Sequence, residues 1–221
     1  MNWTAILTSL ELALATTVVL MAIGIPLAYW LAFSTRRWKF LVESAVALPL
    51  ILPPTVLGFY VLIALGPRSP VGRLSERIFG TTLPFTFKGL VVASTLYSLP
   101  FAVQPIASAF GSVNRRLIEA SWTLGVSRAG TFRRVIIPQS VAGLITGVVL
   151  SFAHTIGEFG VVLMVGGNIE GQTRTISIAI YDDVQALNYA QANSTALLLV
   201  IFSFAVLATV YGLNRKALIS S

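Results

Sequence analysis

The chain has 221 residues, of which 56% are hydrophobic and only 10% are charged, and its mean hydropathy is +0.84. Soluble domains carry roughly 25% charged residues, so this chain has too few to cover a surface that faces water. The net charge of +7 does not indicate a nucleic-acid partner, because the 15 Lys and Arg residues lie in short segments between apolar runs. Cys is absent, which excludes disulfides and thiolate metal sites. The composition predicts an integral membrane protein that contacts the lipid bilayer.

Five apolar segments are long enough to cross the hydrocarbon layer, which takes about 20 helical residues. The first is too long for a secretory signal peptide and lacks its basic flank. In the fourth, Gly157 and Gly160 predict an early helix end and a separate, partly inserted piece at Val161–Val165. The sequence therefore predicts one all-helical domain over residues 1–221, with spans at Ala5–Phe33, Phe40–Gly66, Gly89–Ser112, Val135–Gly167 and Asn193–Leu213.

Basic residues predict the orientation of these spans. They cluster after the first span, between the third and fourth, and after the fifth. Placing those segments in the cytoplasm follows the positive-inside tendency and puts the amino terminus outside and the carboxyl terminus inside. The segment Pro67–Lys88 does not fit this tendency, because it would lie outside and yet is also rich in Arg.

The segment over residues 113–138, between the third and fourth spans, predicts two short helices. Asn114 can cap the first, Gly125 can end it, and a second helical piece fits before Pro138. Short helices with apolar faces and basic flanks suit docking into a groove on a partner, although an ordinary basic loop at the lipid surface explains the same residues. The apolar face of the first helix consists of Leu117, Ala120, Ser121 and Leu124.

This segment resembles the EAA loop of binding-protein-dependent ABC importers, which reads Glu-Ala-Ala, three residues, Gly, nine residues and Ile-x-Leu-Pro. In this chain Ser121 replaces the last Ala of the motif, Val135 replaces its Ile, and Ile137 replaces its Leu. The resemblance implies a type I ABC importer permease-like fold, with the loop as a coupling helix held by an ATPase subunit. The coupling residues implied are Glu119, Ala120, Ser121, Gly125 and Pro138.

The chain has no G-x-x-x-x-G-K-[ST] motif, which in other proteins cradles nucleotide phosphates. We therefore expect this chain to be non-catalytic and to hold no cofactor, with ATP and Mg²⁺ bound by the partner subunit. An intramembrane metalloenzyme is disfavoured by the single His and the absence of Cys. A stand-alone ion channel remains a rival, and it would conduct without an ATPase.

Further motifs resemble the molybdate-transporter permeases of that family. The resemblance implies a molybdate permease in the cytoplasmic (inner) membrane of a prokaryote. It further implies two ATPase subunits and an external molybdate-binding protein. One chain of this size offers too few helices to enclose an aqueous path, so we also expect pairing with a second copy. Sulfate and tungstate permeases share parts of these motifs, so both anions remain alternatives. The motifs are residues 48–58 (LPLILPPTVLG), 157–160 (GEFG), 166–169 (GGNI) and 173–175 (TRT).

Two features predict a translocation path or gate. Prolines in the second span leave backbone carbonyls unpaired, which membranes tolerate only against protein or a water-filled cavity. A packing kink, with Thr55 bonded back to its own helix, is the alternative. In the fourth span, Gly143 and Gly147 permit close helix contact, and His154 can hydrogen-bond Glu158 one turn later. That pair is either structural or part of the path. The candidate path residues are Pro53, Pro54, Thr55, Ser151, His154 and Glu158.

Overall fold

The computed structural model describes residues 2–219, except for the side chains of Phe79 and of residues 213–219. Every regular element in that range is helical. The helices are α1 (Trp3–Phe33), α2 (Lys39–Ala47), α3 (Pro54–Leu65), α4 (Pro70–Phe79), α5 (Phe87–Ser112), α6 (Arg115–Thr123), α7 (Arg128–Thr131), α8 (Ile137–Gln139), α9 (Val141–Gly157), α10 (Gly160–Gly166), α11 (Ile176–Gln185) and α12 (Tyr189–Ile219).

Three of the described helices, α1, α5 and α12, are each long and apolar enough to cross a membrane. Two further spans are possible if each of two bent helix pairs counts as one, which brings the total to 5. The predicted all-helical bundle is confirmed. The second and fourth spans, however, are not straight helices.

The second span, Phe40–Gly66, is not one continuous helix, and its prolines mark the break, as the sequence predicted. The chain instead runs through α2 and a 3₁₀ turn at Leu48–Leu50, and α3 then leaves at an angle of 112°. Pro53 has the extended values φ −54° and ψ 135°, and Pro54 begins the new helix. Proline suits the first position of a helix because it has no amide hydrogen to leave unpaired. The prolines therefore end one helix and begin another.

The fourth span begins later than the predicted Val135. That residue belongs to a π-helical turn, Phe132–Ile136, and the chain bends by 74° between Gln139 and Val141. Pro138 cannot donate a backbone hydrogen bond, which breaks the helical ladder just before the bend. At the other end, α9 stops at Gly157 and α10 forms a separate piece, as predicted. The helix of the fifth predicted span, α12, begins at Tyr189, four residues before the predicted Asn193.

The structure contains two helices, α4 and α11, in segments that the sequence analysis treated as loops. Ser69 caps α4 by accepting a hydrogen bond from the Gly72 amide, and Gly80 ends that helix at φ +71°. The backbone amide of Ile176, at the start of α11, donates to the Ser9 hydroxyl of α1 over 2.8 Å. Both are short amphipathic or mixed helices, which a search for long apolar runs does not detect.

The interior of the bundle lies where α1, α5 and α9 meet. Glycines on α9 allow its backbone to touch α5, as the small-xxx-small spacing predicted. A methyl group at Gly143 would collide with Cβ of Ala109 and lie 2.9 Å from the Pro105 carbonyl oxygen. One at Gly147 would lie 2.9 Å from Cγ1 of Ile106. This contact leaves no room for a larger side chain.

We expect Gly143→Ala to lower the free energy of unfolding by about 1–3 kcal/mol, because the added methyl group overpacks the contact between α5 and α9. Gly111→Ala is the matched control, since a methyl group there meets nothing within 4 Å. Alanine is also the better helix former, so the control should be neutral or slightly stabilising. Denaturant unfolding in detergent micelles measures both variants, and equal stabilities would contradict the packing interpretation.

Candidate functional site

The first helix of the predicted coupling loop, α6, has defined ends. Oδ1 of Asn114 accepts a hydrogen bond from the Arg116 amide over 3.0 Å, as expected of a helix cap. At the other end, the Gly125 amide donates to the Trp122 carbonyl over 2.9 Å, and the Val126 amide donates to the Ser121 carbonyl over 3.0 Å. This is a Schellman motif, and it requires the φ of +78° that Gly125 adopts. The sequence prediction for both ends of α6 is confirmed.

The exposed face of α6 differs from the predicted face by one residue. Leu117, Ala120 and Leu124 are exposed, whereas Ser121 is buried. Its hydroxyl forms a 2.7 Å hydrogen bond with the hydroxyl of Thr131, which joins α6 to α7. Ser121 therefore holds the two short helices together and does not present a docking surface.

The other predicted coupling residues are exposed on this side of the molecule. Glu119 borders a cleft of about 330 Å³ that lies between α6, α7 and the end of α1, beside Tyr29, Trp122 and Arg128. Pro138 is exposed in α8, near the bend that leads into α9. The exposed surface of α6 thus combines apolar side chains with a carboxylate and neighbouring basic residues.

The predicted coupling loop, residues 113–138 (the coupling segment), packs into the same core as the spans. The ring of Tyr29 on α1 lies 6.4 Å from that of Phe110 on α5 and 5.2 Å from that of Phe132, in the π-helical turn. Ile118 of α6 and Ile136 belong to the same buried cluster as Phe110. Because this cluster is closely packed, a displacement of α6 is transmitted to α1 and α5.

The breaks in the second and fourth spans meet at one cavity. Its volume is about 490 Å³. A methyl group at Gly160, where α10 begins, would lie 2.8 Å from Cβ of Pro54, where α3 begins. The polar and helix-terminal residues on the cavity wall are Pro54, Thr55, Tyr97, His154, Glu158 and Gly160.

Four of the six predicted path residues line this cavity, and two do not. Pro53 is exposed beside the break, outside the lining. Ser151 is fully buried, and its hydroxyl donates to the Gly147 carbonyl of its own helix over 2.7 Å. Thr55 is exposed, and within residues 2–219 its hydroxyl makes no hydrogen bond, either to its own helix or elsewhere. The amino-terminal end of α3 therefore opens into the cavity with a free hydroxyl, an arrangement that favours anions.

The expected pairing of His154 with Glu158 is not formed. Nδ1 of His154 instead lies 2.9 Å from Oγ of Ser98 on α5. Its ring stacks on Phe101 with centroids 3.9 Å apart, and the Tyr97 ring lies 4.9 Å away. Helix α9 ends at Gly157 and Glu158 has an extended ψ of 133°, so the register that would bring the two side chains together is lost.

The carboxyl group of Glu158 is enclosed by the protein. Glu158 is only 3% exposed, and in the part of the chain that the structure describes neither carboxyl oxygen has a hydrogen-bond partner of acceptable geometry. The Ser94 hydroxyl lies beside it and is similarly unpaired. Sequence reasoning missed the contribution of α5. The signal available was the helical spacing of Ser94 and Ser98 within an apolar span.

Comparison with known proteins agrees with this geometry. The family of binding-protein-dependent transport system inner membrane components matches residues 24–218.

This chain belongs to that family.

Curated relatives match over most of their length. The molybdenum transport system permease protein ModB of Azotobacter vinelandii is 51% identical over 211 residues, which cover 96% of this chain and 93% of that protein. ModB of Escherichia coli strain K12 is 36% identical over 184 residues, covering 83% and 80% of the two chains.

Solved structures share the fold at low sequence identity. A chain of a bacterial alginate ABC transporter matches with a TM-score of 0.75 at 17% identity, covering 96% of this chain and 78% of that one. A chain of the MetNI methionine ABC transporter matches with a TM-score of 0.73 at 18% identity, covering 98% and 96%. The predicted type I ABC importer permease-like fold is confirmed.

We expect Ser121→Ala to loosen the junction between α6 and α7. The substitution removes the 2.7 Å bond to Thr131 and the 2.8 Å bond from the Ser121 hydroxyl to the Ile118 carbonyl. Thr131 keeps its 3.2 Å bond to the Ser127 carbonyl, so the loss is about 1–2 kcal/mol. Hydrogen exchange measured by mass spectrometry should then be several-fold faster for the amides of α6. Ser112→Ala is the control, because that exposed hydroxyl bonds only to a carbonyl of its own helix. Unchanged exchange in Ser121→Ala would show that the bond does not hold the junction.

Proposed function

We propose that this chain is the membrane-spanning permease subunit of an ATP-driven, binding-protein-dependent importer of molybdate. The observation that carries the proposal is the 51% identity with a molybdenum transport permease across nearly the whole of both chains. Sulfate and tungstate are tetrahedral oxyanions of similar shape, so the test below includes both as competitors.

The assembly that we propose contains two copies of this chain, two ATPase subunits and an external binding protein. ATP and Mg²⁺ belong to the ATPase subunits, and this chain contributes no catalytic residue. Charge supports an orientation with the amino terminus outside, because Arg115, Arg116 and Arg128 then accompany the exposed face of α6 in the cytoplasm. Exposed aromatic and aliphatic side chains on α3, including Phe59, Tyr60 and Ile63, offer a surface for a second copy or for lipid.

In this mechanism α6 converts closure of the ATPase subunits into movement of the spans. Leu117 and Leu124 enter a groove on the ATPase, where burial of apolar area supplies the binding energy. Ile118 and the bond between Ser121 and Thr131 transmit the displacement to the core formed by α1 and α5. The halves of the assembly then turn as packed units and open the cavity alternately to the two sides of the membrane.

The cavity at the span breaks suits an oxyanion. The positive end of the α3 dipole and the hydroxyl of Thr55 face it, and Tyr97 supplies a second hydroxyl. The carboxyl group of Glu158 would repel a dianion if charged, so we assign it no direct contact with the cargo. Half-helix termini of this kind hold substrates in other transporters built from discontinuous helices.

The proposed function predicts ATP-dependent uptake of labelled molybdate by vesicles that contain the permease, its ATPase and its binding protein. Vesicles with the permease alone should take up none, because no energy source drives the cycle. Competition with unlabelled tungstate and sulfate then ranks the anions. Full-rate uptake by the permease alone would refute the proposal, and stronger competition by sulfate than by molybdate would reassign the cargo.

Docking through α6 predicts that Leu124→Asp abolishes binding of the ATPase. Leu124 is 83% exposed, so the substitution leaves the fold of the chain intact but places an unpaired charge in the interface. We expect at least about a tenfold loss of affinity in co-purification, with a parallel loss of substrate-stimulated ATP hydrolysis. Leu124→Met keeps an apolar side chain of similar volume and should retain both. Normal binding by Leu124→Asp would place the docking surface elsewhere.

A further inference from the structure

A chain of hydrogen bonds connects the cavity to the interior of α9. The hydroxyl of Thr155 donates to the Ser151 carbonyl over 2.9 Å. Oγ of Ser98 lies 3.0 Å from the Thr155 hydroxyl and 2.9 Å from Nδ1 of His154. The two contacts of Ser98 link α5 to α9 beside the cavity, and the bond from Thr155 lies within α9.

The donors in this chain can be assigned by counting hydroxyl hydrogens. A carbonyl only accepts, so the single hydroxyl hydrogen of Thr155 is used on Ser151. Thr155 must then accept from Ser98, which uses the hydrogen of Ser98. Ser98 has none left for His154, so Nδ1 of His154 must be the donor. The neutral imidazole therefore carries its hydrogen on Nδ1, and its Nε2 has a free lone pair.

Nε2 is the ring nitrogen that reaches the cavity. His154 lines the cavity, and its Nδ1 is occupied by the buried Ser98. Nε2 has no hydrogen-bond partner within the described residues, yet it is not among the buried unpaired atoms, so solvent reaches it. The titratable groups that face His154 are Tyr97 on α5 and Glu158 beyond α9, whereas Pro54, Thr55 and Gly160 on the opposite wall are uncharged.

A neutral His154 is therefore mismatched to an oxyanion, because two lone pairs would face each other. Adding one hydrogen to Nε2 changes it into a charge-assisted donor, which is the stronger kind of hydrogen bond. The bond from Nδ1 to Ser98 is unaffected, since both nitrogens of an imidazolium donate.

We propose that the cavity takes up an oxyanion together with one proton, which Nε2 of His154 accepts from a hydronium ion of the solution and then donates in a hydrogen bond to an oxygen of the anion. The inference rests on the proposed function, because it takes the cargo to be an oxyanion that passes this cavity. The proton compensates part of the anion's charge at membrane depth. Ser98, Thr155 and Ser151 act as positioning residues by fixing the tautomer.

The single histidine of the chain makes a direct test possible. The permease, labelled with ¹⁵N-histidine, is assembled with unlabelled ATPase in lipid nanodiscs, and the ¹⁵N shifts are recorded without and with molybdate. We expect a neutral ring protonated on Nδ1 without molybdate, and both nitrogens protonated with it. In Ser98→Ala the tautomers should mix, whereas Ser194→Ala, an exposed hydroxyl on α12 bonded to its own helix, should match the unaltered protein. A ring protonated on Nε2 alone, or one that stays neutral with molybdate bound, would overturn the proposal.

Two substitutions at His154 separate its nitrogens in the uptake assay. His154→Asn keeps an amide donor near the position of Nδ1 and removes Nε2, whereas His154→Gln places an amide donor near Nε2 at every pH. Binding of a proton with the anion makes uptake by the unaltered transporter fall as pH rises. His154→Gln should lose this dependence, and His154→Asn should import about tenfold more slowly at the acid end.

The outcomes distinguish this inference from the proposed function. Failure of the unaltered transporter to import any oxyanion would refute the proposed function, while the tautomer result would still stand or fall by itself. Normal import with the same pH profile in all three proteins would overturn the proton-linked role of His154 and leave the permease assignment intact.

Discussion

Every backbone amide and carbonyl within the bilayer must find a partner inside the protein, because lipid offers none. Two spans of this chain break that ladder, one at Pro53 and Pro54 and the other between Gly157 and Gly160. The fold resolves both breaks in one place, since the first residue of α10 packs against the first residue of α3. The cavity lies where the two interruptions share a wall.

A second set of contacts joins that wall to α6. The core that encloses Phe110 includes residues of α1 and α5 as well as Ile118 and Ile136 of the coupling segment. Close-packed interiors resist local deformation and transmit displacement. Helix α5 also carries Tyr97 and Ser98, which contact His154. One helix therefore belongs to the cluster that holds Ile118 of α6 and also lines the cavity.

Much of this organisation could be predicted from the sequence, and the remainder depends on distant contacts. Hydropathy located α1, α5 and α12, and the cap and glycine signals located α6. Prolines indicated where the second span breaks, but the angle of 112° depends on what the next helix packs against. The hydrogen-bond partner of His154 could not be predicted from the neighbouring sequence, because Ser98 lies 56 residues away. The burial of Ser121 was missed for the same reason, since Thr131 lies on another helix.

The glycine contact between α5 and α9 has a further consequence for the transport cycle. Since not even a methyl group fits between Gly143 and Ala109, any sliding of one helix past the other would bring a larger side chain into this contact. We therefore expect α5 and α9 to move together, so that the separation between probes attached to them stays constant during transport. The distance between α5 and α9 can therefore serve as a reference for measuring how far the other helices move.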